Sequence, residues 1–404
     1  MGTGQEPEAG LGFRLSRQQM EVRDLARRFA REQIKPVAGQ FEHDAEGKLV
    51  DQVLERAANV GLLGLAVPEE FGGGGGSNVE CSLVLEELAA GCGGIATAIG
   101  ASWFGQTPIM MTATPDQRRE IFPPLAATDK ARLVCMAMTE PAGGTDIENP
   151  HMRSRTVRTV VRQEGDYCVV KGTKLWPSNA GNAWLYTVVA TVDPNLGDAG
   201  SCLVMVPAAS AGLSFGRPIR KMGMDADRNA EIIFDDVRVP KSNLLGKVGD
   251  GARILQRTLI YNRVGAAAIG VGVARGAFES ALKWAKERIT MGRPLIQHPI
   301  IAAMVGDMAT EIEAARLLYL RAAWFNAQPK QARMDWSTMA KVFATDMAMR
   351  VTTNAVQIMG AYGYAREYGV EKAMRDAKIL QIYIGANEFA RQLVGELTAD
   401  ALEQ

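Results

Sequence analysis

From Arg17 to Ile34 the apolar side chains Met20, Val22, Leu25, Ala26, Phe29 and Ile34 recur near the spacing of one helix face. Ser16 with Gln19 three residues later forms a capping box, which starts that helix. Pro36 ends or kinks it. A second amphipathic run covers residues 52–60, and a third helix is expected over 82–90. Between them, five consecutive glycines, Gly72 to Gly76, read as a mobile connector. They lack the Lys-Ser/Thr of a phosphate-binding loop and follow no clear strand. Residues 94–125 are small and apolar, consistent with packed helices.

After residue 130 the period changes. Short β-branched runs appear at 133–139, 156–162, 167–171, 185–192, 202–206 and 231–237, separated by turn residues such as Glu164-Gly165-Asp166 and Asp193-Pro194-Asn195. Short strands at this spacing, without helical runs between them, predict a small antiparallel barrel or sandwich. Beyond Gly251 the helical period returns, with Ala- and Met-rich runs at 281–288, 300–326, 336–359 and 382–397 that read as a bundle. The expected domains are residues 1–131, helical; 132–246, β; and 247–404, a four-helix bundle.

Composition narrows the function. The chain has 404 residues, 47% of them hydrophobic, and its 45 basic side chains balance 45 acidic ones. Zero net charge argues against nucleic acid or an anionic membrane as partner, since both select a basic surface. Five cysteines without Cys-x-x-Cys spacing and only three histidines provide no zinc constellation. The first ten residues lack the basic and apolar regions of a secretory signal, and no apolar run is long enough to span a bilayer. A soluble, cytoplasmic protein with reduced thiols is expected.

Four separated stretches carry more specific chemistry. Thr139-Glu140-Pro141-Ala142-Gly143-Gly144-Thr145-Asp146 and Gly172-Thr173-Lys174-Leu175-Trp176-Pro177-Ser178-Asn179 lie on the predicted strands. Arg288-Ile289-Thr290-Met291-Gly292-Arg293-Pro294-Leu295 and the run from Gln357 through Gly360, Gly363 and Tyr364 to Arg375-Asp376 and Tyr383 lie in the C-terminal helices. In this order they resemble the TEPxAGSD, GxKxWITN, RxxFGxxL and QxxGGxGY…RDARxxxIYEG motifs of the acyl-CoA dehydrogenase family, across nearly the whole chain. The resemblance implies FAD as cofactor and an acyl-CoA thioester as substrate. It also implies a homotetramer and an electron acceptor such as an electron-transfer flavoprotein. By the same resemblance Met138, Thr139, Gly144, Thr145, Trp176 and Ser178 meet the flavin. Arg288 holds the pyrophosphate with Met291 nearby, and Gln357 and Gly360 reach the cofactor of a neighbouring subunit. Gly385 and Asn387 complete the cofactor set, while Thr145, Asn262, Arg263 and Tyr383 face the substrate. The residue types suit these roles: glycines admit close backbone approach, hydroxyls donate, and a guanidinium offers a bidentate fork.

The departures matter as much. The family removes the proton α to the thioester carbonyl with a carboxylate, and its usual Glu follows Tyr in IYEG. Here that seat is Ile384, and the alternative seat before Arg263 is Asn262, an amide that takes no proton at neutral pH. A positioned base contributes about 10²–10⁴ in rate, about 3–5 kcal/mol of barrier. Either another residue serves, with His151, Tyr261 and, less well placed, Glu388 as candidates; or the reaction is an elimination, such as desulfination, or an oxygenation; or the chain is a non-catalytic partner subunit. The segment from Ile147 to Arg162 is longer than the family's spacing. It is a solvated loop, or it brings His151, Arg153 or Arg155 to an unusual, acidic acyl group. Pro177, Pro299 and Ala386 replace residues that are commonly Ile, Gln and Thr in the family. The reading that results is an FAD-dependent oxidoreductase acting on a short- or medium-chain acyl-CoA with an atypical or relocated base.

Overall fold

The computed structural model describes residues 14–328 and 330–402. The first ten residues, read above for a signal, lie outside them. Helix α1, Arg17–Phe29, begins at the expected capping box: Ser16 Oγ accepts from Gln19 N at 3.1 Å, and Gln19 Oε1 accepts from Ser16 N at 2.9 Å. Pro36 does not stop the chain's coiling. A π-helical turn, Ala30–Ile34, passes into a 3₁₀ segment, Lys35–His43, which accommodates the missing proline N–H. Helices α2, Lys48–Asn59, and α3, Asn78–Gly91, start earlier than their apolar periodicity shows, α3 because Ser77 and Glu80 form a second capping box. Helices α4, Gly93–Thr112, and α5, Pro115–Ala126, complete the N-terminal helical layer.

The five-glycine segment is a structured turn rather than the mobile connector expected. Gly74, Gly75 and Gly76 donate backbone N–H groups to Gly64, Val67 and Leu65 oxygens at 2.8–3.1 Å. A Cβ on Gly73 would lie 2.1 Å from the Val67 oxygen, so only glycine permits that approach.

The middle domain is a sheet of short strands: β1, Val134–Ala137; β2, Val160–Glu164; β3, Tyr167–Lys174; β4, Leu185–Thr191; β5, Ser201–Pro207; β6, Leu213–Phe215; β7, Ile232–Pro240; and β8, Leu244–Leu245. Between β1 and β2 lies a single-turn helix, α6, Thr145–Glu148. The path runs β6-β7-β3-β2-β4-β5-β8, with β1 joined to β4. The sheet is mixed rather than purely antiparallel, because β4 pairs in parallel with both β1 and β2. Strand β4 is buried at every position, as a strand covered on both faces must be. β6 and β8 are too short to leave a pattern in the sequence.

Helix α7, Gly251–Glu287, then packs with α8, Pro299–Asn326, and α9, Met334–Met359. A short α10, Ala361–Tyr364, leads to α11, Val370–Leu380, and α12, Asn387–Leu402, which lie against α9. The helix expected over 382–397 is therefore interrupted: Ile382 to Ala386 form a turn, with Ile384 at φ 51° and Gly385 at φ 84°. A β-branched residue at positive φ is strained. The turn is held by Lys341 Nζ, which donates to the Gly385 oxygen and to Asn387 Oδ1, both at 2.7 Å. No helix of the described residues is long and apolar enough to cross a membrane.

Candidate active site

A cavity of about 910 Å³ lies where the three layers meet. Its walls come from the small residues of α4, the loop after β1, helix α6, the turn after β3, the loop before β7, helix α7 and the turn after α11.

The loop after β1 is locked from beneath. Buried Lys174 on β3 donates to Glu140 Oε1 at 2.7 Å and to the Met138 oxygen at 2.9 Å. The Glu140 carboxylate also accepts from Arg158 N at 2.7 Å and Thr159 N at 2.9 Å. These bonds fix Met138 and Thr139 at the cavity wall. Gly144 N donates to Asp146 Oδ1 at 2.6 Å, and Thr145 Oγ1 accepts from Ala386 N at 3.4 Å, which ties this loop to the strained turn.

Trp176 sits just beyond β3, not on a strand, at φ 70° and 52% exposed, so its ring forms a free wall of the cavity. Asn229 Nδ2 donates to the Trp176 oxygen at 2.7 Å and fixes that backbone. Ser178 Oγ donates to Asp227 Oδ2 at 2.9 Å. Burial pushes the Asp227 carboxyl up to about 6, opposed by Lys221 and by bonds from Ser178 and Asn229. Asp227 Oδ1 and Asn229 Oδ1 find no hydrogen-bond partner among the described residues. Two buried acceptors without donors, beside a half-exposed indole and the Thr139 and Thr145 hydroxyls, fit a planar ligand that carries its own N–H and O–H groups. A flavin has this chemistry.

Tyr383, Ile384, Tyr261 and Asn262 line the same cavity. Asn262 Nδ2 donates to Thr107 Oγ1 at 3.1 Å and to the Thr258 oxygen at 2.9 Å. Arg263 does not reach the cavity. Wholly buried, it donates to Thr338 Oγ1 at 2.9 Å and lies 3.5 Å from Glu148 Oε2. Burial holds the Glu148 carboxyl above its ordinary range, against the pull of Arg263 and Lys341. Burial drives the Lys341 ammonium down to about 7.

The fold thus gathers Met138, Thr139, Gly144, Thr145, Trp176, Ser178, Asn262, Tyr383 and Ile384 around one space. It does not bring His151 there. His151 is exposed, bonded through Nε2 to Glu396 Oε2 at 2.9 Å, and Arg153 and Arg155 also face solvent. Chain reversal at Arg153 and Ser154, both at positive φ, turns this segment outward. Glu388 lies on α12, beyond the turn rather than a turn further along one helix, and it does not line the cavity. Asn387 is buried and spends its amide on Lys341, Thr345 and Asp346, while Gly385 supports the turn from behind. Arg288, Met291, Gln357 and Gly360 lie on the outer surface, apart from the cavity, with Arg288 against the Trp284 and Tyr362 rings. Sequence reasoning passed over Glu148 and Asp227. Glu148 had a usable signal, an acidic residue three positions beyond Thr145 inside the lengthened segment. Asp227 had none. Among the described residues no group of His, Cys, Asp or Glu is arranged to hold a metal ion.

A helical layer, a small mixed sheet and a helical bundle enclosing a crevice with flavin-like complementarity define a class of flavoprotein oxidoreductases. Family models for acyl-CoA dehydrogenase match in three parts: the N-terminal domain over residues 16–129, the middle domain over 135–237 and the C-terminal domain over 249–398. An acyl-CoA dehydrogenase of Bacillus subtilis is 35% identical over 387 residues, 95% of this chain and 98% of that protein. A cyclohex-1-ene-1-carbonyl-CoA dehydrogenase of Geobacter metallireducens is 36% identical, over 94% of this chain and 98% of that one. The structure of butyryl-CoA dehydrogenase from Megasphaera elsdenii superposes with a TM-score of 0.89 at 32% identity, covering 96% of this chain and all (100%) of that one. The chain belongs to the acyl-CoA dehydrogenase family, FAD-dependent oxidoreductases that act on acyl-CoA.

Proposed function

We propose that this protein desaturates a short- or medium-chain acyl-CoA, linear or alicyclic, between its α and β carbons. The observation that carries the reading is one mostly apolar cavity that Trp176, Thr139 and Thr145 line together with Ile384 and Asn262. Related proteins named for butyryl-CoA and cyclohex-1-ene-1-carbonyl-CoA support small acyl groups. When bound, FAD supplies the acceptor for the β hydride. The chain's residues do the rest: Trp176, Ser178 and the Thr139–Thr145 loop orient the ring, and the apolar walls exclude water from the acyl group. Such walls also strengthen every polar contact within. A homotetramer in the cytoplasm, delivering electrons to an electron-transfer flavoprotein, completes the proposal.

Anaerobic addition of butyryl-, hexanoyl-, octanoyl- and cyclohexanecarbonyl-CoA to the FAD-loaded protein tests it. Loss of the oxidised-flavin absorbance with at least one thioester is the expected outcome. Ile384 and Asn262, which leave both usual base seats without a carboxylate, favour elimination as the second reading. Turnover of a sulfinate-bearing thioester with unchanged flavin absorbance would establish that reading instead.

A further inference from the structure

We propose that Glu148 is the catalytic base of this site, supplied from helix α6 in place of the carboxylate absent at Ile384 and Asn262. The inference rests on the desaturase reading above. Its ground is position. Glu148 and Asp227 are the acidic residues lining the cavity among the described residues, and Asp227 is committed to Ser178 beside Trp176. Glu148 lies between the residues that follow the two vacant seats. Its Oε2 is 3.5 Å from Arg263 Nη2 and 3.0 Å from where a Cβ on Gly385 would stand. The carboxylate therefore stands beside the backbone next to both vacant seats, on a residue that lines the cavity they share, and glycine at 385 leaves room for it.

A bland alternative makes Glu148 the counter-ion of Arg263. The geometry is loose for that role: charge-assisted N–H···O bonds close at about 2.7–2.9 Å, and Arg263 spends its other terminal nitrogen on Thr338. Helix α6 is held by its own contacts. Asp146 binds Gly144 N at its start, and the Glu148 backbone oxygen accepts from Gln256 Nε2 at 2.8 Å. A buried carboxylate on a fixed backbone, loosely paired with its arginine and bordering a cavity, is disposed to take a proton. Its elevated affinity for one agrees with this. The groups facing it are Arg263 from α7, Lys341 from α9 and the Gly385 N–H from the turn.

In the step, the α C–H bond breaks, its electron pair becomes the second Cα–Cβ bond, and its proton passes to the Glu148 carboxylate. FAD, when bound, would be the two-electron oxidant that takes the β hydrogen as hydride. The proton on Glu148 later returns to solvent.

Proton removal is measured apart from oxidation with a thioester carrying sulfur at its β position, which has no β hydride to lose. The FAD-loaded protein in D₂O is expected to exchange the α protons of this thioester, read by NMR, with a rate that rises as pH deprotonates Glu148. Glu148→Gln is expected to lower exchange about 10²–10⁴-fold and to abolish that pH dependence. Its flavin spectrum should stay near the parent's, while its melting temperature falls because Arg263 and Lys341 lose a buried carboxylate. Glu148→Asp should recover part of the rate. If E148Q fails to fold, Glu148→Asp decides the matter, because a shorter carboxylate on the same backbone should lower the exchange rate while keeping its pH dependence. Exchange by E148Q at the parent rate, exchange by E148D at the parent rate or without pH dependence, or no exchange by the parent protein would each overturn the assignment. Exchange without flavin bleaching on ordinary acyl-CoAs overturns the desaturase reading alone.

Discussion

Asp227 illustrates how one side chain couples the site to stability. Its carboxyl is buried, so the folded protein retains the proton up to a pH of about 6, whereas an unfolded Asp releases it near its ordinary value of 3.8. The folded state therefore binds more protons than the unfolded state in that window, and stability falls as pH rises through it. The affinity difference corresponds to something on the order of 3 kcal/mol. Asp227→Asn removes the titration while keeping an acceptor for Ser178. Thermal melts between about pH 4 and pH 7 should show the parent losing stability more steeply than D227N. Parallel profiles for the two proteins would refute the burial of a protonated carboxyl.

Among elements, the decisive contact is the clasp between β3 and the loop after β1. Lys174 and Glu140 have no solvent to fall back on, and removing one partner of a buried pair costs about 3–5 kcal/mol. Lys174→Met is therefore expected to lower stability by that amount in urea denaturation. It should also weaken FAD retention, since the Met138 oxygen loses its donor and the Thr139–Thr145 loop its anchor. A variant that kept full flavin occupancy would show that the loop's own turns suffice. The Ile382–Ala386 turn follows the same logic. Lys341 on α9 holds it by two bonds at 2.7 Å, and those bonds offset the strain of Ile384 at positive φ. Strain of this kind is retained where backbone must be aimed, and here it aims Ile384 into the cavity.

For the whole molecule, the outer surface carries an apolar set that a single chain leaves in water: Met291 is 94% exposed, Ile300 77% and Tyr364 81%. Arg288, Gln357 and Gly360 share that region of the C-terminal helices rather than the cavity. In the proposed tetramer, another copy on this surface would bury the apolar side chains and let Arg288 and Gln357 serve a neighbour's cofactor. Met291→Arg combined with Ile300→Glu should convert the proposed tetramer to smaller species in light scattering. FAD affinity should fall in parallel. An unchanged mass would place the assembly surface elsewhere.

Much of this was legible in the chain. Helical and strand periods, the Ser16 capping box, and the motifs around Thr139 and Trp176 depend on near neighbours, so sequence alone determined the layer order and picked out segments that line the cavity. That Ile384 and Asn262 carry no carboxylate was also legible, since it is a matter of residue identity. Tertiary structure decided which carboxylates border the cavity. Glu148 and His151 are three residues apart, yet one points into the cavity and the other to Glu396 at the surface. That choice depends on where α6 ends, on the reversal at Arg153 and Ser154, and on Gly385 leaving space 3.0 Å away. These constraints come from chain segments more than two hundred residues apart, and no local pattern encodes a distance.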